Sequence, residues 1–159
     1  MIVVSDASPL ITLAAVGRLE VLRALYGTVC VPEQVYAEVT GRGPGAQEIR
    51  QAEWIEVRAI SDRGMLHTVR GVLDPGELEA IALAMELRAD LILIDESRAR
   101  AAAISAGLHV VGVLGVIALA KGRGLIPSAR ELVDAMKLAT GFRIAPALVQ
   151  SLLEAVGEA

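Results

Sequence analysis

Leu91-Ile92-Leu93-Ile94-Asp95-Glu96-Ser97-Arg98-Ala99-Arg100 is the stretch that decides the fold. Four aliphatic residues run without alternation into two acids, and an Ala-rich helical run follows. An unalternating apolar run of this length is the pattern of a strand buried on both faces, which belongs to parallel sheets covered by helices. In such sheets ligand chemistry collects beyond the carboxyl ends of the strands, where Asp95 and Glu96 fall.

Working outward, four more apolar runs have the same character. They are Ile2–Val4, Thr28–Val31, Trp54–Val57 (short enough for an edge strand) and His109–Val111. Helical patterns separate them. Ser8-Pro9 supplies an N-cap and a first-turn proline for a helix ended by Gly17, and Leu19, Leu22, Leu25 and Tyr26 continue at helical spacing to Gly27. A helix from Pro32 to about Thr40 turns Val35 and Val39 inward, with Glu38 beside them. Gly41 to Gly45 is a loop by composition, and Ala46–Glu53 is helical.

Ser61–Gly71 shows no period and reads as irregular or mobile. Asp74-Pro75-Gly76-Glu77 opens a strong helix with Leu78, Ile81, Ala82 and Met85 on its apolar face. Further helices run over about Ser97–Ala106 and Leu114–Lys121. Two amphipathic helices, about Pro127–Thr140 and Pro146–Val156, close the chain. Strands alternating with helices give an α/β domain with a mainly parallel central sheet. Its 159 residues fit a single domain, 1–159, with about 127–159 as a C-terminal helical extension.

Composition bounds the function. The chain is 54% hydrophobic but only 3% aromatic, so Leu, Ile, Val and Ala must build the core. A net charge of −4 gives no whole-molecule attraction for polyanions, so nucleic-acid binding requires a local cluster of Arg or Lys. A single cysteine, Cys30, excludes an internal disulfide and a Cys-based zinc site. The first residues lack a basic n-region, and the longest apolar stretch, Leu108–Ala120, is broken by glycines and too short to span a bilayer. The expectation is a soluble cytoplasmic protein with no membrane partner.

Asp6 and Asp95 both follow strands. Glu77 opens the helix before the Asp95 strand, and Glu38 lies on the helix after the second strand. Each has a plain structural role open to it. Asp74 and Glu77 form a capping box, Asp95 and Glu96 suit a helix N-terminus, and Asp6 can cap locally. Together, however, several carboxylates share a small pocket as anions only if protons or a cation neutralise them. Oxygen ligands without His or Cys select Mg²⁺ or Mn²⁺, ions that bind phosphate substrates. That chemistry is metal-assisted phosphodiester hydrolysis. Arg98, Arg100, Lys121 and Arg123 are candidates to hold phosphates, or ordinary solvated helix faces. His67 and His109 read as structural or surface residues.

Val4-Ser5-Asp6-Ala7-Ser8-Pro9-Leu10, Val31-Pro32 with Val35-Tyr36-Ala37-Glu38-Val39, Gly76-Glu77-Leu78-Glu79-Ala80-Ile81, Leu93-Ile94-Asp95-Glu96, and Gly112-Val-Leu-Gly115 with Ala120-Lys121 follow one another in the order of a PIN domain. Over about Ile2 to Glu158 the chain resembles the prokaryotic PIN-like group related to VapC-type toxins. The resemblance implies a Rossmann-like three-layer α/β/α sandwich and a Mg²⁺- or Mn²⁺-dependent endoribonuclease. It assigns metal-holding and catalytic roles to Asp6, Glu38, Glu77 and Asp95, with Ser8 as a polar helper. Where the group often has a second Asp this chain has Glu96, a longer acid within reach of the metal shell. Arg100 matches a basic position suited to phosphate. The resemblance further implies an RNA substrate, a protein antitoxin and a homodimer. The alternative is a non-catalytic module that keeps the fold and binds a partner through its apolar helices.

Overall fold

A computed structural model describes residues 1–69 and 72–159. Five strands form one all-parallel sheet: β1 (Val3–Ser5), β2 (Val29–Pro32), β3 (Ile55–Arg58), β4 (Leu91–Leu93) and β5 (Val110–Val111), in the order β3-β2-β1-β4-β5. The helices among the described residues are α1 (Ala7–Ala15), α2 (Glu20–Tyr26), α3 (Glu33–Gly41), α4 (Ala46–Gln51), α5 (Pro75–Leu87), α6 (Ser97–Ser105), α7 (Val113–Gly122), α8 (Ala129–Thr140) and α9 (Pro146–Ala155). The architecture is the expected three-layer α/β/α sandwich, and β3 is an edge strand as read from its sequence.

The central strands are apolar throughout because both of their faces are covered. Every residue of β1 and β2 is buried. Helix α5 packs on β1, β2 and β4 and also against α3, while α7 packs with α2, α8 and α9. The core is aliphatic, with Leu10, Leu13, Leu22, Ile81, Leu83, Ile92 and Ile117 fully buried. Cys30 is a buried free thiol. Gly45 lets α4 approach α1: its φ is +84°, and a Cβ there would lie 2.7 Å from the backbone carbon of Ala14.

Two local readings are corrected. Ser8 is not the N-cap of α1; the helix begins at Ala7, so Asp6 occupies the cap position. The aperiodic segment is not wholly irregular, because Arg63–His67 forms a 3₁₀ turn started by Asp62, whose side chain accepts from the Gly64 N–H. Arg70 and Gly71 lie outside the described residues.

Strand order places the site. The chain runs outward through β2 and β3 on one side of β1 and through β4 and β5 on the other, so the order reverses between β1 and β4. A crevice opens at the carboxyl ends of strands at such a reversal. Ser5 pairs with Leu93 across it, and the Asp6 N–H donates to the Leu93 carbonyl at 2.9 Å.

Candidate active site

Asp6 leaves β1 directly into this crevice and is buried, with 6% of its surface exposed. Although it occupies the N-cap position, its side chain makes no capping hydrogen bond. Burial raises its carboxyl from the usual 3.8 to about 7; the Ala7 N–H opposes this, and Glu77, Asp74 and Glu38 push it further up. Three acids from two other elements therefore act on Asp6.

Glu38 projects from the solvent side of α3 toward the first turn of α5. Its Oε1 lies 3.5 Å from where a Cβ would stand on Gly76, at the same distance as Asp74 Oδ1. Its carboxyl is also raised, by desolvation and then by Asp74. Glu77 is nearly buried and closes the expected capping box: Asp74 Oδ1 accepts from the Glu77 N–H at 2.8 Å, and Glu77 Oε2 accepts from the Asp74 N–H at 3.0 Å. Desolvation dominates the upward shift of Glu77. Asp74, read from sequence only as a cap, is thus also a charged neighbour of all three acids.

Asp95 stands on the other side of the crevice. Its Oδ1 accepts from the Val113 N–H at 2.7 Å, joining the end of β4 to the start of α7. Its Oδ2 is buried and has no hydrogen-bond partner. Desolvation raises this carboxyl, while the Val113 N–H, the Ser8 hydroxyl and the Arg100 guanidinium pull it down. Gly112 is wedged between the two charged groups, since a Cβ on it would lie 2.6 Å from Arg100 Nη1 and 3.0 Å from Asp95 Oδ1. Arg100 is anchored by donating from Nη1 to the Ile94 carbonyl at 3.1 Å.

Two sequence-named residues have other places. Glu96 is the N-cap of α6, and its Oε2 accepts from the Ala99 N–H at 2.8 Å. The capping role thus falls to Glu96, and Asp95 is left to face the crevice. Arg98 lies two positions from Arg100, nearly opposite on the helix. It lines a separate apolar cavity with Thr68, Met85 and Ala102, whereas Arg100 shares a groove with Asp95.

A family model described as a PIN domain matches residues 2–158. The chain belongs to the PIN-domain family. No curated protein and no solved structure gives a significant match. PIN domains are generally nucleases and typically bind divalent metals, so the PIN chain described here has a nuclease-type assignment.

The fit of such a metal divides into chemistry and geometry. The chemistry fits, because the donors are hard carboxylate oxygens, burial raises all four carboxyls, neighbouring acids raise Asp6, Glu38 and Glu77 further, and Asp95 Oδ2 is an orphaned buried acceptor. The geometry is open: among the described residues no three acids, histidines or cysteines stand close enough to hold an ion. Glu77 is turned back onto its own helix by the box. No described helix is long and apolar enough to cross a membrane.

Proposed function

We propose that the PIN domain is a divalent-metal-dependent endoribonuclease whose ion, Mg²⁺ or Mn²⁺, is held by Asp6, Glu38, Glu77 and Asp95. The observation that carries this reading is the state of Asp6, a strand-end carboxyl at the β1/β4 crevice raised to about 7 by burial and three neighbouring acids. A cluster that favours protons in this way gains from a divalent cation instead. When bound, the ion supplies an activated water and offsets charge on the phosphate.

The chain's own residues set the surroundings. Asp6 directly follows β1 and its N–H donates to the Leu93 carbonyl, while Asp95 lies two residues beyond β4, held by its own side chain to the Val113 N–H. Arg100, tied to the Ile94 carbonyl, keeps a cation beside Asp95 where a phosphate would lie. Glu96, engaged through Oε2 by the Ala99 N–H, is left out of the proposed ligands, and its charge adds to the upward shift of Glu77.

The non-catalytic interaction module is the competing reading, kept because among the described residues no three acids, histidines or cysteines stand close enough to hold an ion. Calorimetric titration of Mn²⁺ into metal-free protein, with the Asp6→Asn/Asp95→Asn double variant as control, decides between them. Heat present in the wild type and absent in the variant, with RNA cleavage that EDTA stops, supports the nuclease. A folded wild type that binds no Mn²⁺, or a double variant that cleaves RNA like wild type, sinks it.

A further inference from the structure

A groove of about 530 Å³ is lined by Asp95, Arg100 and Gly112 together with Phe142, Arg143 and Leu148 in and after the α8–α9 connection. Phe142 is the chain's only phenylalanine. Aliphatic residues fill the core, and this one ring is half-buried, packed against that core where it lines the groove. Arg143 beside it is exposed, and Leu148 keeps 58% of its surface open to solvent. The groove therefore carries a carboxylate with an orphaned oxygen. An anchored guanidinium, an aromatic ring and a second guanidinium line the same groove.

Arg100 and Arg143 make a local cationic lining on a chain of net charge −4, which answers the requirement that polyanion binding here be local. An aromatic face next to a cation is the arrangement that holds an unpaired base and its phosphate. A duplex, whose bases are stacked and paired, cannot offer a free base to a single ring. We infer that this groove is the track of a single RNA strand leaving the acid site, with a base stacked on Phe142 and the adjoining phosphate on Arg143. The inference deepens the ribonuclease reading and rests on it only for the position of the bond to be cut.

The test separates binding from cleavage. A fluorescein-labelled single-stranded RNA of mixed sequence is titrated with full-length protein in EDTA, and its anisotropy is followed at several salt concentrations. Phe142→Leu keeps an apolar side chain and removes the stacking face; Arg143→Ala alters an exposed residue that the fold does not need. Thermal melts verify that each variant is folded. Expected are about tenfold weaker binding for Phe142→Leu, a salt slope shallower by about 0.7 for Arg143→Ala, and little binding of the same sequence as a duplex. An ultraviolet crosslink to residues 142–148 is also expected.

RNA affinity unchanged in both folded variants, or a wild type that binds no single-stranded RNA, overturns the inference. Unchanged affinity is also the result expected if the groove instead receives a protein segment. The two readings fail separately. Variant-sensitive binding without Mn²⁺-dependent cleavage keeps the groove and removes the ribonuclease. Mn²⁺-dependent cleavage with binding indifferent to both variants does the reverse.

Discussion

At the scale of single residues the candidate site is a matter of which carboxylate oxygens are left without a structural partner. Asp6 has no capping hydrogen bond and Asp95 has an orphaned oxygen, whereas Glu96 is committed to α6. Asp6→Asn is therefore expected to fold and to lose more than about 100-fold in RNA cleavage, exceeding the loss typical of an outer-shell partner. Circular dichroism and a cleavage assay check the two halves. Gly112→Ala is a subtler probe, because its methyl group would meet Arg100 Nη1 at 2.6 Å and Asp95 Oδ1 at 3.0 Å. Both groups would have to shift, so cleavage should fall about tenfold or more while the melting temperature changes little. Asp6 and Asp95 were legible because an acid after an apolar strand is placed by the strand itself. The choice between Asp95 and Glu96 as cap was not, since either can cap and only the Val113 N–H claims Asp95.

At the scale of elements the same side chain serves fold and site. Glu77 closes the box of α5 through Oε2 and is also one of the proposed ligands. Glutamine can close such a box as well as glutamate. Glu77→Gln should therefore keep α5 and the fold while losing cleavage and Mn²⁺ binding. Glu96→Gln, which retains an oxygen for the Ala99 N–H, should leave both nearly unchanged. Comparing melts, Mn²⁺ titration and cleavage of the pair separates cap from ligand, and equal losses in the two would overturn the assignment. The elements themselves were legible from period and punctuation: the unalternating run at Leu91, the Asp74–Glu77 box and the stop at Gly27 all fall where sequence placed them. The separation of Arg98 from Arg100 was implicit in the helical period. The approach of Phe142 and Arg143 to Asp95 was not, because it depends on how the α8–α9 connection crosses the β5 edge, which no local pattern encodes.

At the scale of the whole molecule two sets of carboxylates oppose each other as pH changes. Asp6, Asp95, Glu38 and Glu77 all have folded-state pKa values raised, chiefly by burial. A raised value means that stability is fully present below the unfolded pKa and is lost as pH climbs through the folded one. For Asp6 that window runs from 3.8 to about 7, and the loss is on the order of 4 kcal/mol. Glu86 and Glu158 are lowered instead, mainly by backbone N–H groups of Asp62 and Ala129. Glu158 ties the end of the described chain to the start of α8, accepting from Ser128 Oγ and the Ala129 and Arg130 N–H groups. Lowered values give stability that is present above the unfolded pKa and lost as pH falls through the folded one. The metal-free protein should accordingly be most stable in mildly acidic solution, with the flank below pH 4 set by the surface caps and the flank toward pH 8 by the crevice. On the proposed reading millimolar Mg²⁺ would bind only the deprotonated crevice, so by mass action it should restore the melting temperature at pH 8 and do little at pH 5. Asp6→Asn removes the carboxyl raised to about 7, and it should flatten the alkaline flank in EDTA and abolish most of the Mg²⁺ gain. Melting curves from pH 4 to 8, with EDTA or Mg²⁺, read all four combinations. An alkaline flank equally steep in wild type and Asp6→Asn would mean that the crevice carboxylates do not govern the molecule's response to pH.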